Sequence, residues 1–185
     1  TGIPGGRLTL TTVTPVMTAS VLTATTIYYT PYLHRFLPIY TGNKWLWDEY
    51  SEFSLVMAGD ATWVINTNYD LFAYNAEGTG RLITGLAWGS DTARAAAGAL
   101  TRQDGMWVNS LAISAATTGP ATVTISAKRA LYVGSMRTTG STGTTTWDLG
   151  GTASGGDPAN LQLWNMYNRV QTGMTVVDST DSWTS

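Results

Sequence analysis

The sequence predicts an all-β protein: an antiparallel β-sandwich, jelly-roll-like, with long Gly/Thr-rich loops and little helix. Three observations carry that expectation. The 185-residue chain is rich in threonine, whose β-branched side chain suits a pleated, half-buried face. Short apolar/polar alternations recur at roughly 8–12-residue spacing, with turn signals between them. Only 12% of the residues are charged, against about 25% in an ordinary soluble domain. Thr, Ser, Asn and Gly must therefore supply most of the polar surface.

Taken in order, residues 7–12 place Leu8 and Leu10 on one strand face. Residues 25–30 place Ile27 and Tyr29 on one face and Tyr28 on the other. Residues 36–40 hold Pro38, which suits an edge or a bulge. Thr41-Gly42-Asn43 turns the chain into Lys44-Trp45-Leu46-Trp47. Residues 48–57 suggest a short turn of helix. Residues 69–74 and 81–86 flank a turn at 75–80 and read as a hairpin. Residues 90–100 are alanine-rich, but Gly98 and a poor apolar stripe argue against a good helix. Asp104-Gly105 tolerates the positive φ angles of a type I′ turn and leads into a strand at 106–113. Further strands are expected at 121–127, 130–138 and 144–149. Residues 161–170 are ambiguous between strand and helix, and 139–156 reads as Gly/Ser/Thr-rich loop.

This makes one β-rich domain over 1–185, with an N-terminal arm or small subdomain over 1–60. The start lacks an initiator methionine and a signal-peptide pattern, and the end at 175–185 stops in strand-like sequence. The expectation is a piece of a longer chain. No apolar run reaches the roughly 18 residues of a membrane helix.

Little conventional catalytic chemistry is on offer. There is no cysteine and one histidine, His34. No Gly-x-Ser-x-Gly elbow accompanies that histidine, and a histidine metal site would want more imidazoles. No phosphate loop or EF-hand loop occurs, and Asp178 with Asp181 is a weak calcium signal. No cofactor is implied. Net charge is −2 and the ten basic residues are scattered, which does not suggest a nucleic-acid partner. Two carboxylates suffice for glycoside hydrolysis, and Asp48, Glu49 and Glu52 cluster beside Trp45, Trp47 and Tyr50. The same residues also read as an amphipathic turn, with acids outward and aromatics inward. Of the eight tryptophans, Trp63, Trp88, Trp107, Trp147 and Trp164 lie in or beside strand-like sequence. They read as core or interface anchors, or as sugar platforms. Trp45, Trp47, Tyr50, Trp88 and Trp107 are the glycan or interface candidates.

Eight runs carry a resemblance: GRLTLT at 6–11, TIYYTPY at 26–32, PIY at 38–40, NYDLFAY at 68–74, WGSDTAR at 88–94, LTRQDG at 100–105, YVGSMRT at 132–138 and LWNMYNRV at 163–170. In this order they resemble a family of tailed-bacteriophage virion proteins, tail-fibre-like or head-associated appendage or decoration proteins. The resemblance implies a non-catalytic structural component of the virion, located on tail or head. It implies a homo-oligomer, a trimer foremost, that contacts other virion proteins and host-surface polysaccharide. It brings no active-site residues with it. Within these runs Ser90-Asp91-Thr92 can cap a turn. Arg94 and Arg102 can pair with Asp91, Asp104 or backbone carbonyls, and Asn165, Asn168 and Arg169 can fasten loops similarly. The competing readings are a polysaccharide depolymerase working through the clustered carboxylates and a free carbohydrate-binding module.

Overall fold

Alternation becomes pairing wherever one face of a strand finds the core. The computed structural model describes residues 2–76, 79–95, 99–114, 124–151 and 158–174. Every regular element of more than one residue among them is a strand. In chain order these are β1 (Gly6–Thr9), β2 (Val21–Ala24), β3 (Thr26–Pro31), β4 (Phe36–Tyr40), β5 (Trp45–Glu49), β6 (Phe53–Val56), β7 (Asn68–Ala76) and β8 (Thr79–Ala87). They continue with β9 (Leu100–Gln103), β10 (Met106–Asn109), β11 (Ile113–Ser114), β12 (Thr124–Ile125), β13 (Leu131–Arg137), β14 (Thr145–Asp148), β15 (Asn160–Leu161) and β16 (Leu163–Asn165).

All pairings are antiparallel. The largest sheet runs β8-β7-β13-β10-β9, with β16 also on β13. Smaller sheets are β1-β3-β6, β15-β14-β2, β4-β5 and β11-β12. The fold is thus all-β and sandwich-like.

Two cores explain why β7 and β13 lie in the middle. Tyr69, Leu71 and Ala73 of β7 join Leu131, Val133 and Met136 of β13 in the main core, together with Leu8, Ile27, Tyr29 and Leu55 of the three-stranded sheet. Phe72 and Tyr74, which alternate with those residues, pack on the other face with Tyr132, Ile113 and Ile125. A strand buried on both faces can hold no exposed polar row. The polar residues that β7 and β13 do carry must find partners inside.

Several expectations hold. Ile27 and Tyr29 are buried while Tyr28 is only half-buried. Pro38 lies in a strand paired on one side only, opposite Trp47. Asp104 and Gly105 have φ of 50° and 91°, and the strands they join pair in register from Met106↔Gln103 to Asn109↔Leu100. The β7–β8 hairpin is longer than the sequence suggests. Ala76 pairs with Thr79, so strand consumes four of the six turn residues.

One expectation needs correction. Residues 48–57 contain no helical turn. Trp45–Glu49 is paired along its length with β4, and Phe53–Val56 with β3. The aromatic trio of Tyr29, Tyr50 and Phe53, with ring centroids 5.3–5.5 Å apart, produced the helix-like spacing. Residues 161–170, ambiguous between strand and helix in the sequence, hold the end of β15, the short β16 and then irregular chain. Of 90–100, residues 90–95 are non-helical, Leu100 opens β9, and 96–98 lie outside the described residues. Also outside are 121–123 of the expected strand, 152–156 of the expected loop, and Asp178 and Asp181.

Threonine does more than cover the sheet. The buried Thr138 hydroxyl donates to the carbonyl of Val64 at 2.6 Å and accepts the Thr67 amide at 2.9 Å. The buried Thr145 hydroxyl donates to the Arg137 carbonyl at 2.7 Å. Each bond ties a buried threonine hydroxyl to the backbone of another segment.

Candidate functional site: the aromatic face of the β4–β5 ribbon

Among the described strands, β4 and β5 pair only with each other. Their turn is set by sequence. The Thr41 amide donates to the Lys44 carbonyl at 2.8 Å, and the Thr41 hydroxyl donates to the Asn43 side-chain oxygen at 2.9 Å. Gly42 sits at φ 102°, a left-handed position that suits glycine. The register then places Phe36 opposite Glu49, Pro38 opposite Trp47 and Tyr40 opposite Trp45. Directly opposed residues, and residues two apart, share a face. One face of the ribbon therefore carries Phe36, Pro38 and Tyr40 from β4 and Glu49, Trp47 and Trp45 from β5, with Pro38 buried at its middle and Trp45 packed against the main core. The alternate face carries Leu37, buried in the core, and Asp48, which accepts a hydrogen bond from the Asn75 amide.

Two rings of this aromatic row are accessible. Phe36 is 45% exposed and Trp47 41%. Tyr40 and Trp45 are half-buried, 5.3 Å apart between ring centroids. Trp45 Nε1 donates to Asp104 at 3.0 Å, which fixes the indole against the β9–β10 turn. His34 closes the other end, 5.9 Å from the Phe36 ring and 6.1 Å from the Trp47 ring. Its Nδ1 accepts the Phe36 amide at 3.2 Å. The glycine-rich arm ahead of β1 lies alongside. A Cβ at Gly2 would stand 2.9 Å from the Trp47 ring, and one at Gly5 would collide with the His34 carbonyl. The amides of Tyr32 and Leu33 both donate to the Gly5 carbonyl, at 2.9 and 2.8 Å.

The other sequence-predicted residues go elsewhere. Tyr50 is only 5% exposed and stacks on Tyr29, so it is a core residue and not a platform. Burial pushes its phenol well above the ordinary value. Trp88 is covered by the Arg94 guanidinium, 4.6 Å from its ring centroid, and Trp107 by that of Arg102, also at 4.6 Å. Neither indole offers a free face on that side.

Some polar candidates act as expected and others find different partners. Ser90 caps its turn by accepting the Ala93 amide at 3.1 Å. Arg94 does not pair with Asp91. It reaches the buried Asp70, with Nε donating to Oδ2 at 2.5 Å and Nη2 to Oδ1 at 3.1 Å. Asp70 Oδ1 also accepts Trp88 Nε1 at 3.1 Å and the Ser135 hydroxyl at 2.7 Å. Burial pulls the Arg94 guanidinium down, but its hydrogen bond to Asp70 and that charge leave its pKa raised. Asp91 instead pairs with Arg137 at 2.7 Å. Asn165 takes the Leu8 amide at 2.6 Å and gives its own N–H to the Leu8 carbonyl at 3.0 Å, stitching β16 to β1. Arg169 Nε donates to the Asn165 carbonyl at 3.3 Å.

The clustered carboxylates do not converge. Asp48 and Glu49 are neighbours on one strand and face opposite ways. Glu52 lies beyond it and accepts the Thr30 hydroxyl, the Thr12 hydroxyl and the Val13 amide, the last two at 2.5 and 2.6 Å. Val13 is held there at φ 54°, a costly conformation for a β-branched residue, so the carboxylate compensates local strain. Burial pushes the Glu52 carboxyl up, and its three hydrogen bonds outweigh that and hold it below the ordinary value. A depressed folded-state pKa contributes stability above the unfolded pKa and loses it as pH falls through the folded one. The Val13 amide should therefore exchange faster with solvent as pH falls through the carboxylate range, beyond the intrinsic pH trend. Glu52→Gln should abolish that dependence, as amide exchange followed by NMR would show.

Among the described residues, no group of three or more His, Cys, Asp or Glu side chains is placed to hold a metal ion, and no helix is long and apolar enough to cross a membrane. Comparison with family models, with curated proteins and with solved structures found no match for this chain.

Proposed function

We propose that this chain is a structural component of a bacteriophage particle, part of a tail fibre or spike or of a head-attached appendage. It works as an oligomer, foremost a trimer, and touches host-surface glycan through the outer face of the β4–β5 ribbon. The observation that carries the glycan part is the pair of exposed rings, Phe36 and Trp47, on one face of that ribbon, continued by the half-buried Tyr40 and Trp45. Flat aromatic rings stack on the C–H faces of sugars, and hydrophobic residues of this size are usually kept from solvent unless they meet a partner. The virion part rests on the eight sequence runs and on the all-β architecture. Such a unit needs no strong single site, because repetition about a symmetry axis multiplies weak contacts.

The test has two arms. Antibody against the purified chain should label phage particles in negative stain, and light scattering should give a closed oligomer. On a panel of bacterial surface glycans, Trp47→Ala should weaken binding about tenfold, the scale of one lost stacking contact. Trp47 is exposed, so its melting temperature should stay near that of the parent. Unlabelled particles overturn the virion assignment, and a blank panel overturns the glycan contact.

A further inference from the structure

Cations are scarce in this chain, and where the unpaired ones sit is informative. Five of the ten basic residues are engaged internally: Arg7 with the Pro15 carbonyl, Arg35 with Glu49, Arg94 with Asp70, Arg137 with Asp91 and Arg169 with the Asn165 carbonyl. Arg102 lies over Trp107. Lys44, Lys128 and Arg129 are exposed and have no carboxylate partner among the described residues.

Two of these, Lys44 and Arg129, meet at the turn end of the ribbon. Lys44 closes the turn itself. Arg129 reaches across to it, with Nη2 2.7 Å from where a Cβ on Gly42 would stand. Lys128 precedes Arg129 at φ 66°, and its amide is tied to the Asn109 carbonyl at 2.8 Å. That conformation is costly for a lysine and is held by the surrounding turn. The carboxylate nearest this end by contact, Asp104, is already occupied by Trp45 Nε1 and by Gln103 Nε2 at 3.1 Å. A protein of net charge −2 thus places free positive charge where the aromatic row ends.

We propose that the ligand of this face is an acidic glycan, a chain of sugar rings bearing carboxylates. The aromatic row stacks against its rings, while Lys44 and Arg129 receive its carboxylates. This rests on the glycan reading of the ribbon. Successive rows on one face of a strand are about 6.7 Å apart, a step comparable to one sugar unit of an extended chain. Single-stranded nucleic acid would also meet aromatics and cations, but it requires a positive groove that follows its backbone. Here the unpaired cations sit at one end only, with Asp104 near them, and the far end carries Glu49.

The test is titration calorimetry on the whole chain with polygalacturonate and polysialic acid, against neutral dextran and an oligothymidylate. At least one acidic polymer should bind about tenfold more tightly than dextran in low salt, and the preference should vanish in molar salt. K44Q and R129Q combined should weaken the acidic polymer about tenfold and leave dextran unchanged. Equal affinity for acidic and neutral polymers, an indifferent double variant, or tightest binding to the oligothymidylate overturns the proposal while leaving the aromatic contact standing. Failure of every glycan, acidic and neutral, overturns the glycan reading of the face together with it.

Discussion

Gly134→Ala is expected to cost roughly 4 kcal/mol or more, a large fraction of the stability of an ordinary domain. In a chain of this length that is a fall in melting temperature of about 10 °C or more, with loss of soluble protein on expression. The reason is steric and local. Gly134 lies where β13 bulges: Tyr132 pairs with Phe72 and Gly134 with Leu71, so Val133 is the extra residue. The bulge brings β16 and β1 onto the same spot. A methyl group at position 134 would collide with the Trp164 carbonyl, which is backbone, and stand 2.6 Å from Leu8 Cδ1 in the main core. The carbonyl is backbone, Leu8 is fully buried, and interiors packed at crystal density accommodate added volume poorly. Gly140→Ala is the control. A Cβ there meets nothing within 4 Å, so thermal melts should shift by less than about 0.5 kcal/mol equivalent. A Gly134→Ala protein that melts with the parent would mean that β16 is not seated on β13 as described.

What the sequence revealed, and what it hid, divides by distance along the chain. The hairpin of β9 and β10 was legible because Asp104-Gly105 states the turn and both strands adjoin it. The β4–β5 ribbon was legible in parts. Thr41-Gly42-Asn43 announced the turn, and Trp45 and Trp47 were singled out. Aligning FLPIY against WLWDE across that turn adds Phe36 and Tyr40 to the same face, and this step reveals the site. β2 and β6 were missed for a different reason. Val21–Ala24 finds its partner β14 more than a hundred residues downstream, and its own pattern is too short to declare a strand. Phe53–Val56 was masked by Tyr50 and Phe53, whose spacing mimics a helix face but serves a cluster around Tyr29. Arg94 reads from the sequence as a structural contact, with Asp91, Asp104 or a backbone carbonyl as its partner. The sheet brings it Asp70, which the sequence places 24 residues away.

That pair carries the second large effect. Asp70→Ala should destabilise the protein by about 3 kcal/mol, read by urea denaturation. Asp70 is 2% exposed and accepts from Arg94, Trp88 and Ser135, so its loss strands three donors at once. The Ser135 hydroxyl can still turn to Tyr132, 2.6 Å away, which softens one of the three. Arg94 is a third exposed and recovers some hydration, which places the cost at the lower end for a broken buried pair. Arg94→Ala should cost a comparable amount by the opposite route, leaving the carboxylate buried with two neutral donors. The decisive measurement is the double variant. If the two charges chiefly serve each other, Asp70→Ala with Arg94→Ala should fall short of the summed single effects by about 1–2 kcal/mol. The loop at 88–95 should loosen in either single variant, because Arg94 is the bolt that holds Trp88 and the Ser90 turn against β7. Strict additivity would show that the loop is held by Trp88 packing alone, and that the buried ion pair is incidental to the sheet it crosses.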